Sequence, residues 1–266
     1  ELSDIIFNGP EEKLRQTSNT QPALLATSIA LYEIFKDGGQ APHYTAGHSL
    51  GEYTALVVSG VLSFADAVRL VHLRGRFMEE AVPQGQGGMA AVLGADREKL
   101  EALCAKISEA GRLIEPANMN CPGQIVVSGK VEGIEAISEQ AKEAGAKRVI
   151  PLEVSGPFHS SLMRPAAEKL AEELKTVAFK AATIPVVANV TARPVTAEEE
   201  FRKLLTQQVY SPVLWEDSVK WMIEDGVDTF VEIGSGKVLA GLIKKMDRSV
   251  NIVNVFDFAS AAAIVN

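Results

Sequence analysis

The chain has 266 residues, 47% of them hydrophobic, which is enough to bury the core of one large domain or of one domain with an insert. Its 26 Lys and Arg against 34 Asp and Glu give a net charge of −8 with no basic block, so nucleic acid is not the expected partner. No apolar run approaches the ~18 residues of a membrane span, and Cys104 and Cys121 form no metal-ligand or disulfide pattern, which predicts a metal-free protein of the reducing cytoplasm.

Helical and strand patterns alternate along the chain, which predicts an α/β fold with a mainly parallel sheet and helices on both of its faces. A loop over Pro83–Gly88 ends the first part of the chain. The elements expected before that loop are a helix at Thr20–Phe35, a strand at Ala41–Ala46 and helices at Leu50–Ser59 and Ser63–Ala81.

The next stretch has the order β-α-β-β-α-β, which is typical of a ferredoxin-like unit. Its expected strands are Met89–Leu93, Leu113–Met119, Gln124–Ser128 and Lys147–Glu153, and its helices are Asp96–Glu109 and Val131–Ala144. We therefore expect a small subdomain over residues 85–153, inserted into a large domain formed by residues 1–84 and 154–266.

The large domain resumes after the insert. Helices are expected at Ser160–Thr176, Val213–Glu224 and Lys237–Met246, with a strand at Pro185–Asn189 and a buried strand at Asp228–Ile233.

Gly47-His48-Ser49-Leu50-Gly51 fits the Gly-x-Ser-x-Gly nucleophile elbow of hydrolase-like folds, because a strand is expected before it and a helix after it. Both glycines are expected to allow the close backbone approach that such a turn requires. The helix N-terminus behind Ser49 would offer N–H groups to a developing oxyanion. Ser49 is therefore the candidate nucleophile.

A serine hydroxyl needs a base, and His159 is the best placed of the four histidines. It lies between a predicted strand and a predicted helix, where α/β folds gather catalytic groups, and a nearby helix N-terminus should favour its neutral form. The alternative is a histidine that only packs. Between Ser49 and His159 the only aspartates are Asp66 and Asp96, which fit helix capping. The group that orients the base is therefore not expected to be a carboxylate, which counts against an ordinary hydrolase; a backbone carbonyl is one candidate for that role.

Arg74 falls on the apolar face of its predicted helix, among Leu70, Val71, Phe77 and Met78. A buried guanidinium is costly unless it is paired. It is either one half of a structural ion pair or a fixed cation that binds a substrate carboxylate through a bidentate fork.

These motifs, taken together, resemble the malonyl-CoA:acyl carrier protein transacylases and the acyltransferase domains of fatty acid and polyketide synthases. The resemblance runs over nearly the whole chain, through the segments Gln21–Leu24, Gly47–Tyr53, Arg74-Gly75, Asn118–Gln124, Gly156–Ser160 and Glu232–Leu239. It implies an S-malonyltransferase in which Ser49 is acylated, His159 is its base and Arg74 binds the malonyl carboxylate.

The resemblance also implies supporting roles. The main-chain carbonyl of Gln208 would orient His159, the Leu50 N–H would be an oxyanion donor, and Phe158 would crowd an α-methyl branch and so select malonyl. Gln21 and Asn120 match motifs near the cleft. It implies malonyl-CoA and an acyl carrier protein as partners, no cofactor beyond the acceptor's phosphopantetheine, and a cytoplasmic monomer.

The chain departs from the family pattern in one respect. Family members begin with a strand and a Gly-Gln-Gly-Ser-Gln loop whose glutamine N–H is the second oxyanion donor, and residues 1–266 contain no such segment. The expectation is a chain that starts partway into the fold, with unpaired strand edges beside the missing strand. Two alternatives therefore stay open: a serine hydrolase or thioesterase on the same elbow, and an inactive truncated acyltransferase domain.

Overall fold

The computed structural model describes residues 1–38 and 41–265. Its helices are α1 Leu2–Asn8, α2 Glu11–Leu14, α3 Thr17–Phe35, α4 Leu50–Val58, α5 Phe64–Glu80, α6 Arg97–Glu109, α7 Val131–Gln140, α8 Arg164–Lys175, α9 Glu198–Gln208, α10 Trp215–Glu224, α11 Val238–Met246 and α12 Phe258–Val265, with 3-10 turns at Ala141–Ala144 and Ser161–Met163. Its strands are β1 Thr45–Ala46, β2 Gly87–Leu93, β3 Ile114–Cys121, β4 Gln124–Lys130, β5 Arg148–Pro151, β6 Val186–Val187, β7 Pro194–Val195, β8 Thr229–Ile233 and β9 Asn251–Val255. None of the described helices is long and apolar enough to cross a bilayer.

The strands form three sheets. One has the order β1-β6-β7, with β1 and β6 parallel; a second has the order β3-β4-β2-β5; the third is the parallel pair β8-β9. The parallel pairing expected from the alternating pattern is therefore present in two separate short sheets. Within the described residues, β1 and β8 each have a ladder partner on one edge only.

The second sheet belongs to the segment with the β-α-β-β-α-β order. Its pairs β2–β4, β2–β5 and β3–β4 are all antiparallel. Helices α6 and α7 cover one face and share an apolar core with the strands, including Leu100, Ile107, Ile125 and Ile137. Asp96 caps α6 by accepting the N–H of Lys99, as its position in the sequence predicted.

The largest core lies among α3, α4, α5, α8 and α9. The apolar stripe of α5 is buried in it, with Leu70 and Val71 fully covered. Ser63 caps α5 by accepting the Asp66 N–H, so both predicted capping aspartates sit where expected. This core fixes α4, which begins directly after Ser49, and α5, which carries Arg74 on its buried face.

Helix α3 begins three residues earlier than the sequence predicted, so Pro22 lies inside it instead of at its entrance. Proline has no N–H, which leaves the carbonyl four residues back, that of Ser18, without its helical donor. The Nδ1 of His72 lies 2.8 Å from that carbonyl and replaces the missing donor. His72 of α5 therefore allows Pro22 to lie inside α3, although the local sequence predicted that Pro22 stands at the start of the helix.

Other predictions need correction. The strand expected over Ala41–Ala46 is reduced to its last two residues. The strand expected to be buried at Asp228–Ile233 is exposed at Thr229 and Val231, because one of its edges borders an open groove. Six elements were not predicted from the sequence: α1, α2, α9, α12, β7 and β9.

Candidate active site

The elbow is a sharp turn with strained backbone at the serine. Ser49 has φ 52° and ψ −106°, and α4 begins at the next residue. A Cβ at Gly47 would lie 2.0 Å from the carbonyl carbon of Gly51, so only glycine fits there. At Gly51 a Cβ would meet nothing within 4 Å, so the expectation that both glycines serve close approach is wrong for the second. The strained backbone at Ser49 is typical of a serine nucleophile held in a tight turn.

Ser49 and His159 form a hydrogen-bonded pair. The Oγ of Ser49 lies 2.7 Å from Nε2 of His159, and the other ring nitrogen, Nδ1, lies 2.8 Å from the main-chain oxygen of Gln208. A carbonyl only accepts, so Nδ1 carries the proton and Nε2 is free to take the hydroxyl proton of Ser49. His159 itself has a positive φ of 57°, a second strained residue at the site.

The segment that carries His159 is held against the antiparallel sheet. A Cβ at Gly87, the first residue of β2, would lie 2.6 Å from Pro157, so glycine permits this close approach. The Glu115 carboxylate of β3 accepts the N–H of Ser161 at 2.6 Å. The sheet therefore supports the loop that delivers the imidazole to Ser49.

The pKa of His159 is lowered to about 3, chiefly because the ring is buried and secondly because the Arg74 cation is close; the nearby His48 adds to this shift, and the carbonyls of Gln208 and Ser211 oppose it. A neutral imidazole was predicted from the sequence, with a nearby helix N-terminus as its expected cause. In the structure the pKa of His159 is lowered by burial and by the positive charge of Arg74 instead.

We therefore expect kcat/KM for acylation by malonyl-CoA to stay flat from about pH 8 to about pH 5. The parameter kcat/KM reports the free enzyme, and an imidazole with a pKa of about 3 stays neutral throughout that range. An unperturbed histidine would lose half of its neutral form near pH 6.5. Burial raises the pKa of Glu52 to about 7, so Glu52 could itself produce an acidic limb in this range. Glu52→Gln is the control, because a limb caused by Glu52 disappears in that variant. An acidic limb near pH 6.5 that persists in Glu52→Gln would contradict the expectation.

Arg74 is buried, with 1% of its surface exposed, as its position on α5 predicted. Its Nη2 donates to Ser49 Oγ at 3.0 Å and to the Gln208 side-chain oxygen at 2.9 Å, and its Nη1 donates to Gln21 Oε1 at 2.7 Å. All three acceptors are neutral, and the Nε–H has no partner within the described structure. One alternative for Arg74 was a structural ion pair with an Asp or Glu. Arg74 forms no such pair with any carboxylate among the described residues.

A buried amide, Asn189, fastens the elbow from the end of β6. Its Oδ1 accepts the Ser49 N–H at 2.8 Å, and its Nδ2 donates to the Gly47 carbonyl at 2.7 Å. The Glu52 carboxylate accepts the backbone N–H of Asn189 at 3.1 Å and the Gln208 side-chain N–H at 2.8 Å. Asn189 and Glu52 were not predicted from the sequence, because their partners lie far away along the chain.

The remaining predicted residues occupy different parts of the site. Gln21 contacts Arg74 as described, and the Oδ1 of Asn120 lies 2.8 Å from Nε2 of His48, so that ring is turned to Asn120. Leu50 is the first residue of α4, where backbone N–H groups lack helical partners. Phe158 is half-buried and packs between the largest core and the antiparallel sheet.

A groove of about 980 Å³ leads away from the elbow between β1 and β8. Helices α3 and α4 form its floor through Ser28, Tyr32 and Thr54, and the strand edges of Thr45 and Val231 form its sides. Within the described residues these edges of β1 and β8 have no ladder partner.

A serine hydroxyl beside a neutral imidazole and an unneutralised buried cation make this a candidate serine acyl-transfer site on an α/β fold. The family model for the acyl transferase domain matches residues 1–262, and the chain belongs to that family. Among its relatives, the malonyl CoA-acyl carrier protein transacylase of Bacillus subtilis (strain 168) is 56% identical over 256 residues, which are 96% of this chain and 81% of the relative. The protein of that name from Escherichia coli (strain K12) is 50% identical over 239 residues, 90% of this chain and 77% of the relative.

Solved structures that are similar to this chain have names of the same kind. An acyl carrier protein S-malonyltransferase from Vibrio cholerae superposes with a TM-score of 0.95 at 44% identity, over 99% of this chain and 86% of that one. A malonyl-transacylase solved in complex with its type II PKS acyl-carrier protein also gives 0.95 at 44% identity, over 99% of this chain and 85% of that one.

Proposed function

We propose that the protein is a malonyl-CoA:acyl carrier protein transacylase, which moves a malonyl group from CoA to the phosphopantetheine thiol of a carrier protein in fatty acid or polyketide synthesis. The observation that carries the proposal is the contact of Ser49 Oγ with both His159 Nε2, at 2.7 Å, and Arg74 Nη2, at 3.0 Å. One oxygen atom thus meets a proton acceptor and a cation able to hold a carboxylate. Relatives of the same family carry this name at 56% and 50% identity.

In the first half-reaction, His159 Nε2 takes the hydroxyl proton while Ser49 Oγ attacks the thioester carbonyl of malonyl-CoA. The oxyanion forms beside the start of α4, where the Leu50 N–H donates to it. The carbon–sulfur bond then breaks, the CoA thiolate takes the proton from Nε2, and a malonyl ester remains on Ser49.

In the second half-reaction, the phosphopantetheine thiol of the carrier protein gives its proton to Nε2 and its sulfur attacks the ester carbonyl. The bond to Ser49 Oγ breaks, and the serine oxygen recovers the proton from His159. The Gln208 carbonyl holds the imidazole in the required tautomer through both steps. No metal or cofactor takes part in this scheme, since side chains and backbone N–H groups move the proton and hold the charge.

Arg74 supplies the selection for malonyl. Among the described residues the buried guanidinium is bonded only to neutral oxygens and has a free N–H, so an incoming carboxylate would stabilise it. Phe158, beside His159, would crowd an α-branched acyl group. The protein acts as a monomer in the cytoplasm in this proposal.

The β-α-β-β-α-β segment corresponds to a ferredoxin-like subdomain over residues 85–153, placed on a hydrolase-like domain of residues 1–84 and 154–266. The strand order β3-β4-β2-β5 with antiparallel pairing supports the first assignment, and the parallel pairs β1–β6 and β8–β9 support the second.

The test is transfer of labelled malonyl from malonyl-CoA to a purified acyl carrier protein bearing phosphopantetheine, with the carrier lacking that group as control. The proposal expects label on the thiol of the first carrier alone. Release of free malonate faster than carrier loading would instead identify a hydrolase, and absence of any label would identify an inactive domain.

A further inference from the structure

The partners of Arg74 leave its charge unneutralised in the buried site. Glu52 is also buried close by and is the natural anion for such a cation, yet the two side chains form no ion pair. The side chain between them belongs to Gln208, which is fully buried. Its placement explains why the pair does not form.

The Gln208 amide has a different partner at each end. Its Oε1 accepts from Arg74 Nη2 at 2.9 Å, and its Nε2 donates to the Glu52 carboxylate at 2.8 Å and to the Ser49 carbonyl at 2.9 Å. An amide is a side-chain group that accepts from a cation and donates to a carboxylate at once. Charge on both sides therefore fixes its orientation.

From this geometry we infer that the Gln208 side chain is a specificity-determining positioning residue: it holds Arg74 against Ser49 Oγ and keeps Glu52 from neutralising the guanidinium, which stays available to a substrate carboxylate. The inference rests on the proposed function and deepens it. The role is separate from that of the Gln208 main-chain carbonyl, which orients His159 and which every substitution retains.

The test exchanges the amide and the carboxylate. Gln208→Glu puts a carboxylate against Arg74, and the double variant Glu52→Gln/Gln208→Glu does so with the same net charge as the wild type. An internal ion pair then competes with the malonyl carboxylate. We expect kcat/KM for malonyl-CoA to fall about 100-fold, mainly through KM, while kcat/KM for acetyl-CoA falls less than about tenfold. Rates are measured as acylation of Ser49 in a single turnover.

Two single variants complete the test. Gln208→Met removes the amide that holds Arg74 and lies between Arg74 and Glu52, so kcat/KM for malonyl-CoA should fall more than kcat/KM for acetyl-CoA. Glu52→Gln alone is the control, because it leaves Arg74 bonded to Gln208 and should keep the ratio of malonyl to acetyl transfer. If neither carboxylate variant folds, Gln208→Met decides alone: a lower malonyl-to-acetyl ratio supports the inference and an unchanged ratio overturns it.

A pH profile gives a readout that a merely structural role would not move. Arg74 and His48 both lie near His159 and lower its pKa. A carboxylate beside Arg74 cancels part of that effect, so the acidic limb of acetyl transfer should move to higher pH in the exchanged variant and not in Glu52→Gln. Equal losses for malonyl and acetyl, with an unmoved limb, would overturn the inference. Failure of the wild type to accept malonyl from malonyl-CoA would overturn the proposed function instead.

Discussion

Replacing His159 by asparagine should lower the rate of Ser49 acylation by about 10⁴-fold, with KM for malonyl-CoA changed little. The imidazole is the group within hydrogen-bond reach of Ser49 Oγ that can take its proton, and loss of such a base removes stabilisation of the transition state alone. Asparagine is the suitable replacement because it tolerates the positive φ of 57° found at this position. Stopped-flow release of CoA measures the rate.

The same experiment has two controls. His48→Asn removes the neighbouring imidazole, which bonds to Asn120 and not to Ser49, and should cost far less. Ser49→Gly combined with His159→Asn should be no slower than Ser49→Gly alone, because residues that act as one unit are not additive. Comparable losses in His48→Asn and His159→Asn would show that the wrong base has been assigned.

Replacing Arg74 by methionine should lower kcat/KM for malonyl-CoA by about 10²–10³-fold and change kcat/KM for acetyl-CoA by less than about tenfold. Removing one partner of a buried, hydrogen-bonded charge pair costs about 2–5 kcal/mol, and acetyl offers no carboxylate to lose. Methionine fills most of the space, which limits the cavity left in the core around α5. The two rate constants are measured side by side on the same preparation.

Arg74→Lys sharpens this result. Lysine keeps the charge but not the planar fork, so malonyl transfer should recover only in part. Guanidinium added to Arg74→Ala should restore malonyl transfer and leave acetyl transfer unchanged. Equal losses for the two acyl groups in Arg74→Met would remove Arg74 from the recognition of the carboxylate and leave it a structural residue.

The three candidate reacting residues could be chosen from the sequence because each had a local signal. Ser49 lies in a turn motif between elements, Arg74 breaks an apolar stripe at helical spacing, and His159 follows a strand. The structure places all three within one hydrogen-bonded group. Helix α9 also had a signal that was not used, since Phe201, Leu204, Leu205 and Gln208 recur at helical spacing and are all buried.

The residues that hold this group together had no such signal. Asn189 reaches the elbow from 140 positions away, and the Gln208 side chain reaches the Glu52 carboxylate from 156 positions away. No periodicity predicts a bond between distant buried amides and carboxylates. The start of α3 was mispredicted for a related reason, because the carbonyl freed by Pro22 is satisfied by His72, on another helix.

The most direct test of the proposed mechanism is the mass of the peptide containing Ser49 after the protein has been mixed with malonyl-CoA and quenched in acid. We expect a malonyl adduct on Ser49, which disappears when acyl carrier protein bearing phosphopantetheine is added before the quench. Ser49→Gly is the control, because glycine adopts the φ of 52° at this position without strain. An unmodified Ser49 beside malonylated carrier protein, or an equal adduct in Ser49→Gly, would contradict the proposed mechanism.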